Sequence, residues 1–168
     1  MLTARSKKFV IVGDLNSITY KEVFPLILRN KVWSGYSHPK EFSTKPDGGD
    51  IRKFGNKMWF TNLEIKKRYE DLLLYKTYNS IDYPKYDNYN AINVDKVKDI
   101  PMNYDGIMGV PITFLDKYNP NQFEIVGCSE SQCRGASNGI WNEESGVCQP
   151  LVCSRKKYVR LFIRRKHS

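Results

Sequence analysis

Two periodicities alternate along this chain, and the first change between them comes early. Phe9 to Val12 is a short apolar run. Gly13-Asp14-Leu15-Asn16-Ser17 breaks it, and beyond Tyr20 a helical pattern sets Val23, Leu26 and Ile27 on one side. A β-branched run, a Gly/Asp/Asn break and a 3.6-residue period predict strand, loop and helix. That is one step of an α/β sheet, in which ligands bind at the carboxyl ends of strands, although a plain packing unit carries the same pattern. The strand reads as parallel and fully buried, so it needs a neighbour on each side. Only Met1 to Lys8 precede it, and the sheet is expected to be incomplete.

Residues 30–36 read as a short strand leaving the helix. Lys57 to Leu63 alternates Met58, Phe60 and Asn62 with Trp59, Thr61 and Leu63, and can pair with it antiparallel. Between them SHPKEFSTKPDGGD shows little periodicity and is long for a connection, which marks it as functional or mobile. Residues 64–75 fit either a helix or an extended segment turning at Lys66-Lys67-Arg68, and the extended form is preferred. Tyr75, Tyr78, Tyr83, Tyr86 and Tyr89 fall in an ordered loop, and Ala91 to Val94 is a short strand. A short helix starts at Pro111 or Thr113, passes through Phe114, Leu115 and Tyr118, and stops at Asn119-Pro120. Phe123 to Val126 is a strand. The chain is expected to close as a hairpin of Val147–Val152 with Lys157–Ile163, turning over residues 153–156. In its last strand Val159, Leu161 and Ile163 form one face, and Tyr158, Arg160, Phe162 and Arg164 the other.

The 168 residues, 40% hydrophobic and 27% charged, suit one domain or one domain with an appendage and allow a packed core. A formal charge of +9 favours anionic partners, nucleic acid before membrane surface, although solubility alone could explain it. No run approaches the roughly 20 apolar residues of a membrane span. The run after Arg5, Lys7 and Lys8 is too short for a signal-peptide core, so a cytoplasmic protein is expected. Cys128, Cys133, Cys148 and Cys153 are spaced C-x4-C, fourteen residues, C-x4-C. That is looser than the usual C-x2-C pairs of zinc sites, and disulfides are uncommon in the cytoplasm, so partly buried free thiols are expected. A small zinc-dependent binding protein is a third reading of the chain.

Hydrolytic chemistry has little support. His38 and His167 lack a nearby Ser or Cys partner, the aspartates are scattered and build no metal cluster, and neither a P-loop nor G-x-G-x-x-G occurs. The final strand offers the strongest chemical signal. Its alternation of aromatics with arginine is flanked by Arg155, Lys156, Lys157, Arg165 and Lys166. Arginine forks grip phosphates and rings stack on bases, with salt-dependent affinity. An exposed edge strand protected by charge fits the same residues.

Four longer stretches carry a resemblance: FVIVGDLNSITYKEVFPLI, WFTNLEIKKRYEDLLLYK, YPKYDNYNAINVDK and DIPMNYDGIMGVPITFLDKYNPNQFEIVG. From about Lys8 to Lys166 the chain resembles the EcoRI-type adenine-specific DNA methyltransferases of restriction–modification systems. The resemblance implies methyl transfer from S-adenosylmethionine to N6 of an adenine flipped out of double-stranded DNA. It implies an α/β fold, the C-terminal part of a Rossmann-like methyltransferase sheet plus a β-rich target-recognition region. Residues 1–75 would form the partial core, with the fifth, sixth and seventh strands at Phe9–Val12, near Trp33 and at Trp59–Leu63. Residues 76–168 would form the recognition region.

The glycine-bearing cofactor loop and the Asn-Pro-Pro-Phe tetrapeptide of such enzymes are absent, and Asn119-Pro120 stands in the wrong place for the latter. The expectation is therefore a chain without catalytic residues of its own, inactive alone and partnered by a missing N-terminal half. The cofactor would be held only by the complete enzyme. Asn16 and Thr19, then Trp59 and Phe60, are expected to line the adenine pocket. By charge and position, DNA contacts fall to Lys66, Lys67, Arg68, Arg134, Arg155, Lys157, Arg160 and Arg164. A non-catalytic DNA-binding module is the alternative.

Overall fold

Val10–Asp14 does form the first strand, β1, but it is neither buried nor parallel to its neighbour. It pairs antiparallel with β5, Lys57–Thr61, in a register that sets Val10 opposite Thr61 and Asp14 opposite Lys57. The short β2, Trp33–Ser34, pairs antiparallel with the other edge of β5, giving the order β1-β5-β2. Because β1 and β2 both run against β5, they run parallel to each other. Among the described residues β1 has a partner on one side only, so Val10, Ile11 and Val12 are 53%, 43% and 38% exposed. An apolar run reports strand propensity, and burial depends on what lies alongside. The computed structural model describes residues 7–136, 139–140 and 149–166, the side chains of 134–136 excepted.

The break after β1 is a 3₁₀ turn, Leu15–Thr19, and α1 follows as Phe24–Leu28 with Pro25 in its first turn, where a missing N–H costs nothing. Phe24 and Ile27 of this short helix are fully buried. The loop of residues 37–50 holds more structure than its lack of period suggests. β3, Glu41–Ser43, pairs antiparallel with β4, Ile51–Lys53, and Phe42 meets Phe54 edge-to-face at 5.5 Å. This hairpin is almost wholly exposed, so burial imposes no alternating pattern on it. Lys66–Tyr69 is a 3₁₀ turn, and residues 70–75 after it form neither helix nor strand.

The second sheet has the order β6-β7-β11-β8, built from β6 (Ile92–Asn93), β7 (Met108–Pro111), β8 (Phe123–Cys128) and β11 (Arg160–Arg165). β6 lies parallel to β7, and β11 lies antiparallel to both β7 and β8, with a bulge at Phe162/Ile163. The expected closing hairpin is therefore corrected. β9, Leu151–Val152, pairs instead with β10, Arg155–Lys156, across the two-residue turn Cys153-Ser154. The alternation of β11 separates its two faces correctly, but both are covered: Leu161, Phe162 and Ile163 are all fully buried. Val147, Cys148 and His167 lie outside the described residues.

The tyrosine-rich stretch supplies much of that cover. Tyr83, Tyr86 and Tyr89 are buried, and Tyr89 packs on Phe162 at 4.7 Å between ring centroids. The main hydrophobic cluster contains Ile18, Phe24 and Met58 from around the first sheet together with Met108, Phe114 and Ile163 from around the second. The free-thiol expectation is corrected for Cys128 and Cys133, whereas Cys153 is free and exposed. Cys128 and Cys133 form a disulfide with Cα atoms 5.9 Å apart, because the 3₁₀ turn Ser131–Ala136 folds back on the end of β8. Among the described residues no cluster of three or more His, Cys, Asp or Glu could hold a metal, and no helix is long and apolar enough to cross a membrane.

Candidate functional site

The loop at the carboxyl end of β1 is a closed polar turn. Asp14 caps it: its Oδ1 accepts the Asn16 N–H at 2.9 Å and its Oδ2 meets Lys57 Nζ at 3.2 Å. The Asn16 N–H bond, with Lys57 against slight desolvation, holds the Asp14 carboxyl below the usual carboxylate range. Thr19 is buried and its hydroxyl donates to Asn16 O at 2.9 Å, while Asn16 itself is exposed. Phe60 lies under this loop. A Cβ on Gly13 would stand 2.9 Å from the Phe60 ring, so the close approach of backbone to ring requires glycine there. Trp59, the neighbouring residue on β5, projects from the opposite face and packs over Gly35. The structure thus joins Asn16 and Thr19 in one turn, sets the Phe60 ring against Gly13 at its start, and puts Trp59 on the other face.

Lys67 links the chain just after β2 to the segment after β7, and Arg68 packs on β2. Lys67 Nζ donates to Asp116 Oδ1 at 2.6 Å and to Tyr36 O at 3.0 Å. His38 Nε2 lies 2.9 Å from the same carboxylate oxygen, and Ser34 Oγ donates to it at 3.2 Å. Burial pushes Asp116 up, but Lys67 and His38 outweigh it and keep the acid below its ordinary value. Arg68 is buried. Its guanidinium stacks 3.8 Å over the Trp33 ring and its Nη2 donates to Asn30 Oδ1 at 2.7 Å. Trp33 is anchored in turn by its indole N–H, which donates to Leu63 O at 2.9 Å.

The same pattern holds in the second sheet. Arg160, 5% exposed, donates from Nη2 to Asp95 Oδ1 at 3.0 Å, and Lys157 Nζ reaches the same oxygen at 3.2 Å. Burial opposes ionisation of Asp95, yet Asn93, Lys157 and Arg160 together bring its pKa down. The exposed face expected for Arg160 is therefore corrected, because Tyr86, Tyr89 and Phe162 pack on that side of β11. Arg164 is exposed and paired with Glu124 Oε2 at 2.8 Å. Lys66 and Arg155 are exposed. Arg134 lies on the 3₁₀ turn Ser131–Ala136, and its side chain lies outside the described residues. Beside Asp95 an open cleft of about 420 Å³ is lined by Asp82, Asp95 and Asp99 as well as Lys76 and Lys96, a mixture that disfavours a phosphate.

Sequence reasoning missed the carboxylates that organise these cations. Asp87 and Asp95 read as scattered loop acids, and Asp116 was not singled out at all. The one legible signal was Asp87-Asn88, a pair suited to hydrogen-bonding nearby backbone. Asp87 accepts two consecutive amides, from Cys153 at 3.2 Å and Ser154 at 2.7 Å, and Asn88 Oδ1 accepts the Leu151 N–H at 2.9 Å.

Comparison with known proteins completes the picture. The profile of the family described as "Adenine-specific methyltransferase EcoRI" matches residues 1–166. The type II methyltransferase M.EcoRI of Escherichia coli is 48% identical over 138 residues, which cover 71% of this chain and 42% of that protein. The type II methyltransferase M.MgeORF184P of Mycoplasma genitalium is 38% identical over 99% of this chain and 59% of its own length. M.MpnI of Mycoplasma pneumoniae is 34% identical over 100% of this chain and 60% of its own. The chain thus spans about two-fifths to three-fifths of the length of these relatives. No solved structure matches it significantly. With a match from residue 1 to residue 166, the chain belongs to the EcoRI-type adenine-specific methyltransferase family.

Proposed function

We propose that this chain is the DNA-contacting, C-terminal part of a cytoplasmic, S-adenosylmethionine-dependent methyltransferase that modifies adenine N6 in a type II restriction–modification system. The family match over residues 1–166 carries the reading. Three structural features support it. The order β1-β5-β2, one antiparallel strand between two parallel ones, suits the far edge of a mostly parallel sheet. The outer edge of β1 leaves Val10, Ile11 and Val12 for a further strand to cover, which a missing N-terminal half would supply. The strands of the first sheet all precede residue 75 and those of the second all follow it, which suits a division there into partial core and recognition region.

S-adenosylmethionine is the methyl donor this reading assigns to the complete enzyme. The residues of this chain do not make its seat. The Asn16 N–H bonds to Asp14, the Thr19 hydroxyl bonds to Asn16 O, and the Phe60 ring packs against Gly13. No catalytic group is therefore assigned here, and no step of the transfer is derived through the cofactor. The loop Asp14–Thr19 acts as one rigid wall of the adenine pocket, with Asn16 facing outward and Thr19 and Phe60 fixing its shape. Trp59 belongs to the opposite face of the sheet. Lys66, Arg155 and Arg164 are assigned to DNA, with Lys157 half available beside Asp95 and Arg134 retained by position. Lys67, Arg68 and Arg160 serve to hold the contacting elements in place.

The test is transfer of tritiated methyl from S-adenosylmethionine to duplex DNA by the purified chain, alone and mixed with the N-terminal part of M.EcoRI that the chain does not match. Label is expected only in the mixture. Label with the chain alone would overturn the two-part reading, and no label in either would leave a non-catalytic DNA-binding module as the better account.

A further inference from the structure

The β9–β10 hairpin is a small basic projection built more rigidly than its packing requires. Its turn residues, Cys153 and Ser154, both have positive φ, 47° and 62°. A two-residue turn of this kind favours Asn-Gly, and a non-glycine residue in the left-handed region is strained. Asp87 counters that strain by accepting both turn amides, one on each carboxylate oxygen. The base is clamped as well. Asp87 N donates to Leu151 O at 2.8 Å, Asn88 Nδ2 donates to Gln149 O at 2.9 Å, and Lys157 N donates to Pro150 O at 2.8 Å. Residues 153–156 are all exposed, and Tyr158 is 88% exposed. Among the described residues neither Arg155 nor Lys156 is paired with a carboxylate, whereas Lys157, Arg160 and Arg164 all are.

A two-stranded ribbon fits the major groove of B-DNA, and strain held in place by surrounding structure marks functional segments. Resting on the DNA-methyltransferase reading above, we propose that the β9–β10 hairpin enters the major groove of the target duplex. Arg155 and Lys156 project to opposite faces of β10, so they take different partners. Arg155 presents its fork to a guanine edge, and Lys156 grips a phosphate. Asp87 is the positioning residue: it touches no DNA and holds the tip in the shape that enters the groove.

Asp87→Ala separates this account from simple electrostatics. It removes a negative charge beside the tip, so charge alone predicts tighter DNA binding. The hairpin account predicts weaker binding, because the tip loses the acceptor of both its amides. Fluorescence anisotropy of a labelled pool of random-sequence duplexes, titrated with the full chain, reads the difference. Asp87→Ala is expected to weaken binding roughly fivefold, with a melting curve of the same variant separating loss of the tip from loss of the fold. Arg155→Ala, a surface change that leaves the fold intact, is expected to weaken the best-bound duplexes by roughly 5- to 150-fold. Lys156→Ala is expected to weaken all sequences alike and to lower the salt slope by about one. Saturating duplex is expected to slow alkylation of Cys153 by N-ethylmaleimide, read by peptide mass spectrometry. Equal or tighter binding by Asp87→Ala, full binding by Arg155→Ala, or unprotected Cys153 in a chain that binds duplex overturns the hairpin alone. No duplex binding by the unmodified chain overturns the DNA reading as well.

Discussion

Arg160 Nη2 lies 3.0 Å from Asp95 Oδ1, and this contact turns a residue expected at a DNA surface into a strut beneath one. The guanidinium is buried, its Nε has no hydrogen-bond partner among the described residues, and the Asp95 side chain is 56% exposed. The pair is asymmetric, so its two halves respond differently to mutation. Asp95→Asn leaves a buried cation with a neutral partner and is expected to cost about 2 kcal/mol. Arg160→Met removes the cation and its unsatisfied nitrogen while Asp95 keeps water and Lys157, and is expected to cost less than about 1 kcal/mol. Thermal melts should place Asp95→Asn lower by several degrees. The reverse order would contradict the strut.

Gly109 is fixed by Tyr86. A Cβ at Gly109 would run into the buried tyrosine hydroxyl, which bonds to Asn93 Oδ1 at 2.9 Å and lies 3.1 Å from Gly109 O. Gly109→Ala is expected to destabilise by about 1–3 kcal/mol through overpacking. Tyr86→Phe is expected to cost about 1 kcal/mol through the lost hydrogen bonds. In the double variant the alanine should cost less than it does alone. Denaturant titration of the four proteins gives the coupling.

Stability should fall in acid, and Asp116 sets part of the fall. Its folded pKa lies below the ordinary 3.8 because Lys67 and His38 outweigh burial. A depressed carboxylate contributes stability that is present above its unfolded pKa and lost as pH drops through the folded one. Asp116→Asn is expected to be less stable near pH 7, where Lys67 keeps only 15% side-chain exposure and loses its counter-ion. The gap between the two melting temperatures should narrow as pH falls below 3.8. A gap that stays constant across this window would remove the linkage.

These networks show where sequence ran out. The strand–turn–helix of β1 and α1, the β2–β5 pairing, and the stop at Asn119-Pro120 were all legible, because each is a local matter of period or breaker residue. The exposure of β1 and the burial of β11 were not, because alternation separates faces without saying what covers them. The cover on β11 comes from Tyr86 and Tyr89, more than seventy positions earlier in a segment without period. For the same reason charge alone put Lys67, Arg68 and Arg160 on one DNA surface with Lys66, Arg155 and Arg164. Their partners Asp116, Asn30 and Asp95 lie distant in sequence and separate the two groups.

Arg68 tests the strut idea in the first sheet. Its planar stack on Trp33 is unavailable to lysine. Arg68→Lys is expected to cost about 1 kcal/mol and to change Trp33 fluorescence, while the salt slope of duplex binding stays as in the unmodified chain. A slope reduced by one would return Arg68 to the DNA surface.

The central claim concerns the base that is modified. Duplex DNA treated with S-adenosylmethionine, the chain and the complementary part of an EcoRI-type relative can be digested to nucleosides and resolved by mass spectrometry. The account predicts that all transferred methyl appears as N6-methyladenine, whereas N4-methylcytosine or 5-methylcytosine would contradict it.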